Sequence, residues 1–140
     1  MTINNIQDEI IDEFSIFEDW MDKYAYLIDL GNELTEFDEN ERTDQNLIDG
    51  CQSKVWFSAD YKDGKISFIA DSDAIITKGI ASLLIRVLSN HTPDEILESD
   101  LYFIEKIGLN QHLSPTRSNG LMSMIKQLKL YAMAYKSLNK

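Results

Sequence analysis

Cys51 is the single thiol in the chain, set in Asp49-Gly50-Cys51-Gln52-Ser53-Lys54. A cysteine reacts as its thiolate, and a cation close by favours that form, so Lys54 points toward a reactive thiol. Gly50 lets the backbone bend and lets a second molecule approach closely. Standing just before a β-like run, Cys51 falls at a loop tip, where functional side chains gather. The competing reading is a structural thiol, since free cysteine is among the most buried residue types. His91 and His112 add a Cys–His nucleophile to the options, but folding assembles such a pair and spacing does not decide it. His91 follows Ser89-Asn90 at a helix end, where capping carbonyls accounts for it. His112 precedes a helix start, where hydrogen bonding is as good an account as catalysis.

The rest of the composition narrows the setting. The 140 residues are 44% hydrophobic and 26% charged, the balance of one globular domain spanning 1–140. Thirteen Lys and Arg against 24 Asp and Glu give a net charge of -11. Such a surface repels phosphate backbones and anionic lipid headgroups, which argues against nucleic acid and membranes as partners. The first residues lack the basic and apolar regions of a signal peptide. The longest apolar stretch, Ile75 to Leu88, holds Lys78 and Arg86 and is too short to span a bilayer. With one cysteine there is no intrachain disulfide, and a cytoplasmic setting is expected. One Cys and two scattered His do not make a zinc site or an iron–sulfur site, so no metal is expected. The acidic run from Glu36 to Asp44 lacks the alternating ligands and fixed glycine of a calcium loop and reads as solvated.

The elements that must position these residues follow from periodicity. Ile3, Ile6, Ile10, Phe14 and Phe17 line one face of a first helix, and Trp20, Tyr24, Leu27 and Ile28 one face of a second. Asp19 with Asp22 starts the second helix and Gly31 is a soft stop near its end, and the two helices are expected to pack as a helical hairpin. Asp38 to Asn46 is a polar connector. Residues 55–61 and 66–70 are strand-like runs joined at Asp63-Gly64, the preferred pair for a two-residue hairpin turn. Placing Lys62 opposite Lys65 sets Tyr61, Ala59 and Phe57 opposite Ile66, Phe68 and Ala70 on one face. Asp71-Ser72-Asp73 supplies N-cap chemistry for a helix to about Leu88. Thr92-Pro93-Asp94-Glu95 starts a short helix, Leu101 to Ile107 another, and Ser114-Pro115 a last one carrying Leu121, Met124, Ile125, Leu128, Ala132 and Tyr135. The expected fold class is α+β: a small antiparallel sheet, with room for a third strand, covered by helices.

Three blocks carry a resemblance. Gly50-Cys51-Gln52-Ser53-Lys54-Val55-Trp56, then Ala70-Asp71-Ser72-Asp73-Ala74 with Lys78-Gly79, then His112-Leu113-Ser114-Pro115-Thr116-Arg117-Ser118-Asn119-Gly120-Leu121, taken in that order, resemble the SufE family. The resemblance runs from the Trp20-Lys23-Tyr24 and Leu30-Gly31 helix onward and implies the SufE/IscU-like fold. Thr116 replaces the commoner Ser. Proteins of this family accept sulfur from SufS, a pyridoxal-phosphate cysteine desulfurase, stimulate it, and deliver the sulfur to the SufB-containing scaffold (SufBCD) for iron–sulfur cluster assembly. The resemblance implies that Cys51 carries a persulfide, and that Asp73 and Arg117 lie near the cysteine loop or the partner surface. Gly50, Gln52 and His112 belong to the same blocks. The chain itself is expected to bind no cofactor, and a homodimer is compatible with this picture.

A relay suits a chain with one thiol, because a second thiol nearby would attack the persulfide and release sulfide. Other classes stay open: a CsdE-type acceptor feeding tRNA modification, a stand-alone cysteine hydrolase using His91 or His112, and an interaction module with a structural Cys51. Arg117, at a helix start that favours an anion, is expected to steady the cysteine loop or to bind a partner carboxylate. Leu47, Ile48 and Val55 lead to the expectation that the Cys51 sulfur rests in a shallow apolar pocket, which would raise its pKa.

Overall fold

Asp63 and Gly64 both take positive φ, 54° and 81°, as a type I′ hairpin turn requires. That turn joins strands β1 (Val55–Lys62) and β2 (Lys65–Ser72) with Lys62 opposite Lys65, Tyr61 opposite Ile66, Ala59 opposite Phe68 and Phe57 opposite Ala70. The register is the one that turn chemistry and apolar alternation require together. The computed structural model describes residues 1–48 and 53–138. Among them the sheet has two strands and no third. Single-residue bridges flank the hairpin instead, Leu47 to Trp56 and Ile66 to His91. Beside the second bridge Asn90 takes a left-handed φ of 65°, which turns the chain away after one pair.

Helix α1 (Ile3–Ser15) opens on Thr2, whose hydroxyl accepts from the Asn5 N–H at 3.0 Å, and buries Ile3, Gln7, Ile10 and Phe14. Phe17 lies beyond its end and tilts against Tyr26. Helix α2 (Trp20–Asn32) opens on Asp19, which accepts from the Asp22 N–H at 2.9 Å. Then come α3 (Ile75–Leu88), α4 (Pro93–Glu98) with a full capping box between Thr92 and Glu95, α5 (Phe103–Lys106), α6 (Leu109–His112) and α7 (Pro115–Leu138). The helix expected over 101–107 is thus one turn, and Gly108, with φ 80°, starts a second short turn that His112 closes. Among the described residues no helix is long and apolar enough to cross a membrane.

The layers correct the expected helical hairpin. α2 meets α1 through the Phe14 and Tyr26 rings, 5.2 Å apart, but its long contact is with α3. Gly31 lies in the last turn of α2, which ends one residue later, and it is also a packing position: a Cβ there would sit 2.8 Å from the Gly79 nitrogen, and a Cβ on Gly79 would sit 2.3 Å from the Leu27 carbonyl oxygen. Two glycines let the helix backbones touch. The other side of α3 lies on β2, so Ile80, Leu83, Leu84, Val87 and Leu88 are all buried. Arg86 leaves α3 to pair with Glu9 and Glu13 of α1, and Tyr26 donates to the same Glu13. The Arg86 guanidinium holds the Glu13 carboxyl below the usual range, while burial and Glu13 push Tyr26 up to about 12. α7 crosses β1, with Tyr135 stacked on Tyr61 at 5.1 Å.

Gly79→Ala should therefore lower stability by about 3 kcal/mol, because the methyl meets backbone that cannot rotate away. Urea unfolding checks this; an unchanged midpoint would mean that the α2–α3 contact yields freely.

Candidate functional site

Asp49, Gly50, Cys51 and Gln52 lie outside the described residues, and with them the expected loop-tip thiol and its apolar pocket. The stems on either side are described. On the amino-terminal side the Ile48 N–H donates to the Val55 carbonyl at 2.8 Å, and the Phe57 N–H donates to the Asn46 carbonyl at 3.0 Å. Asn46 is 8% exposed. Its amide donates to the Glu41 carbonyl at 2.9 Å and the Glu41 carboxylate at 3.0 Å. The Tyr131 hydroxyl lies 2.6 Å from its Oδ1 and 2.9 Å from the Phe57 carbonyl, within donating reach of both. A buried polar side chain satisfied this fully ties three segments together. Ile48 and Val55 are themselves buried.

On the carboxyl-terminal side Lys54 is held by the residues that were expected to cap α3. Its N–H donates to Asp73 Oδ1 at 3.0 Å, and its carbonyl accepts from the Asp73 N–H at 3.1 Å and the Ser72 hydroxyl at 2.9 Å. The N-cap of α3 is instead Ala74, without a side-chain bond. β2 runs on through Ser72, so these side chains meet the neighbouring stem before they can reach the helix start. Asp71 faces Arg42 at 2.5 Å and Lys78 at 3.4 Å. Burial alone would raise the Asp71 pKa, but the Arg42 hydrogen bond, the Ser72 N–H and Lys78 outweigh it and hold the carboxyl below the usual range. The Arg42 guanidinium also lies over the Phe37 and Trp56 rings, 5.2 and 5.0 Å from their centroids, pressing the acidic connector onto β1.

His112 is exposed, stacked on Trp20 at 4.0 Å with Nδ1 3.0 Å from the Gly108 carbonyl, while the Tyr24 hydroxyl donates to the His112 backbone carbonyl at 2.6 Å. These contacts fasten α6 to α2. Arg117 is exposed in the first turn of α7, its N–H 3.3 Å from the capping Ser114 Oγ. Among the described residues no hydrogen bond or ion pair joins Arg117 or His112 to the Asp73–Lys54 stem. Of the expected site residues, the structure therefore brings Asp73 to the cysteine stem and sets the other two in and after α6. His91 is buried with Nδ1 2.9 Å from the Ser89 carbonyl and Nε2 3.1 Å from the Met1 carbonyl. Both ring nitrogens face backbone oxygens, which withdraws His91 from a hydrolytic pair with Cys51.

Residues 8–132 match the family model described as "SufE: Fe-S metabolism associated domain". The chain belongs to the SufE family. SufE-like proteins of Rhizobium meliloti (strain 1021) and Rhizobium etli are 40% and 42% identical over 127 residues, which cover 87% of this chain and 91% and 86% of theirs. The solution structure of a hypothetical protein from Thermus thermophilus shares the fold at a TM-score of 0.77 and 20% identity, over 96% of this chain and 97% of that one. Membership places the chain in iron–sulfur metabolism, with a sulfur-transfer role.

Asn46, Tyr131 and Arg42 are site residues that sequence reasoning missed. Asn46→Ala should lower stability by about 2 kcal/mol and Tyr131→Phe by about 1 kcal/mol. Because the two share a bond, the double variant should lose less than the sum. Fully additive losses in urea unfolding would contradict the shared contact.

Proposed function

We propose that this chain is a cytoplasmic sulfur acceptor that works with a SufS-type cysteine desulfurase and passes sulfur to a SufB-containing scaffold. The observation that carries the reading is the family match across residues 8–132, which takes in the cysteine block and the chain's single thiol. The Cys51 thiolate attacks the terminal sulfur of the donor's persulfide, a new S–S bond forms on Cys51, and the donor cysteine leaves as a thiolate. In the second exchange an acceptor thiolate attacks the same terminal sulfur and Cys51 leaves as a thiolate. Each step moves a sulfur atom between thiols and needs no outside oxidant. Pyridoxal phosphate belongs to the desulfurase, where L-cysteine is cleaved; this chain supplies a thiol and a surface.

The stems support such a role. A group that must enter a partner's active site and return benefits from rigid anchors on both sides, since preorganisation reduces the entropy lost on docking. Asp73 anchors one stem through the Lys54 N–H. Arg117, exposed and without an ion pair among the described residues, is suited to a partner carboxylate.

Cys51→Ser should abolish stimulation of L-cysteine turnover by the cognate desulfurase, with an unfolding midpoint like that of the wild type. Arg117→Ala should reduce stimulation with the fold equally intact. Full stimulation by Cys51→Ser would contradict the relay, and full stimulation by Arg117→Ala would remove Arg117 from the site.

A further inference from the structure

The stems that flank residues 49–52 are held by different edges of the hairpin. Ile48 is bonded to β1 through the Val55 carbonyl, and Lys54 to the end of β2 through Ser72 and Asp73. A two-stranded ribbon twists more strongly than a wider sheet and is marginal by itself, so it sets the spacing of its two edges poorly. One side chain braces them. One row inward from Ile48, Val55 and Ser72, the residues Leu47, Trp56 and Asp71 stand side by side across the connector, β1 and β2. The Arg42 guanidinium lies over the Trp56 ring, 5.0 Å from its centroid, and its Nη2 reaches Asp71 Oδ2 at 2.5 Å. The Phe37 ring, at 5.2 Å, and the Glu39 carboxylate, 2.8 Å from Nε, hold the same group to the connector.

Arg42 thus spans from the connector to β2 over the strand between them. Its pair with Asp71 is the most shielded ion pair among the described residues, with the two side chains 25% and 18% exposed, whereas the Glu39 side chain is 79% exposed. Water therefore weakens the Asp71 contact least. Charge balance alone does not require this arrangement. Lys78 stands 3.4 Å from Asp71 and would still neutralise it without Arg42. But Lys78 comes from α3 and ties Asp71 to that helix, so it cannot take over the link to the connector.

We propose that Arg42 is a positioning residue for sulfur exchange: by reaching from the connector across the Trp56 ring to Asp71, it fixes the spacing of the two stems and so sets the rate of transfer and not the strength of docking. The inference rests on the sulfur-relay reading for the reaction it serves. Exchange between a thiolate and a persulfide is fast from a near-attack geometry, and a misplacement of about 1 Å costs about a hundredfold. With its donors directed at Asp71 and Glu39, and its face on two rings, the guanidinium offers little to a partner. A lysine does not substitute for it, because an ammonium can meet Asp71 but lacks the planar group that stacks and bonds at once.

The test titrates the cognate desulfurase with the full chain and reads L-cysteine turnover, separating the plateau of stimulation from the half-saturating concentration. Arg42→Gln should lower the plateau by about fivefold or more, with the half-saturating concentration within about twofold of the wild type. Lys78 keeps Asp71 neutralised, so the variant should stay folded at the assay temperature. Arg42→Lys, which carries the test by itself should Arg42→Gln not fold, should show the same loss of plateau. A wild-type plateau in either folded variant overturns the inference and leaves the relay standing, provided that Cys51→Ser still abolishes stimulation. A shift in the half-saturating concentration, with or without a change in plateau, would make Arg42 a docking contact and overturn it. A plateau that falls only in step with the folded fraction on warming would make the residue merely structural, with the same consequence. Stimulation by Cys51→Ser equal to that by the wild type sinks the relay reading and this inference together.

Discussion

Both stems of the cysteine segment are bonded to the same two-stranded hairpin, and the remainder of the molecule depends on that attachment. A two-stranded sheet is marginal by itself in water. Here it gains a helix on each side, and its first strand is extended on the edge by the backbone of Asn46 and Ile48. Breaking that edge would expose a buried asparagine, the Tyr131 hydroxyl and the Phe57 carbonyl at once. The penalty for stranding several buried polar groups exceeds what any one of their bonds contributes. The bonds of the attachment therefore reinforce one another.

The helices serve this arrangement at second hand. The Gly31–Gly79 approach brings α2 close to α3, which frees the opposite side of α3 to cover β2. Arg86 then ties α3 to α1 with two carboxylates, and α7 closes over β1 through Tyr131 and Tyr135. At the open end of the hairpin Arg42, Asp71 and Lys78 form a chain of charges around the root of the stems. Hairpin, stems and charges thus meet at one end of the molecule.

What was legible in the sequence was local. Asp63-Gly64 specifies its turn from two residues, and period-2 alternation on either side leaves one register that buries Phe57, Ile66, Phe68 and Ala70. Thr92 and Glu95 announce a capping box in the same way. The missed features are tertiary. Asn46 reads as part of a polar connector because its burial comes from Tyr131, on a distant helix. Gly31 reads only as a helix-end residue until Gly79 is seen against it. Asp73 has the chemistry of an N-cap, and the competing Lys54 N–H that claims it comes from another segment. For the site itself, the cysteine block was plain in the sequence, whereas its supports were not.

In the proposed relay the single thiol acts as a carrier, since group transfer between thiols requires little beyond access and a thiolate. The most direct measurement is intact mass of the purified chain after incubation with its desulfurase, pyridoxal phosphate and L-cysteine. The account predicts a gain of one sulfur atom that is lost on reduction and absent in Cys51→Ser. An unchanged mass with an active cognate desulfurase, or the same gain in Cys51→Ser, would contradict it.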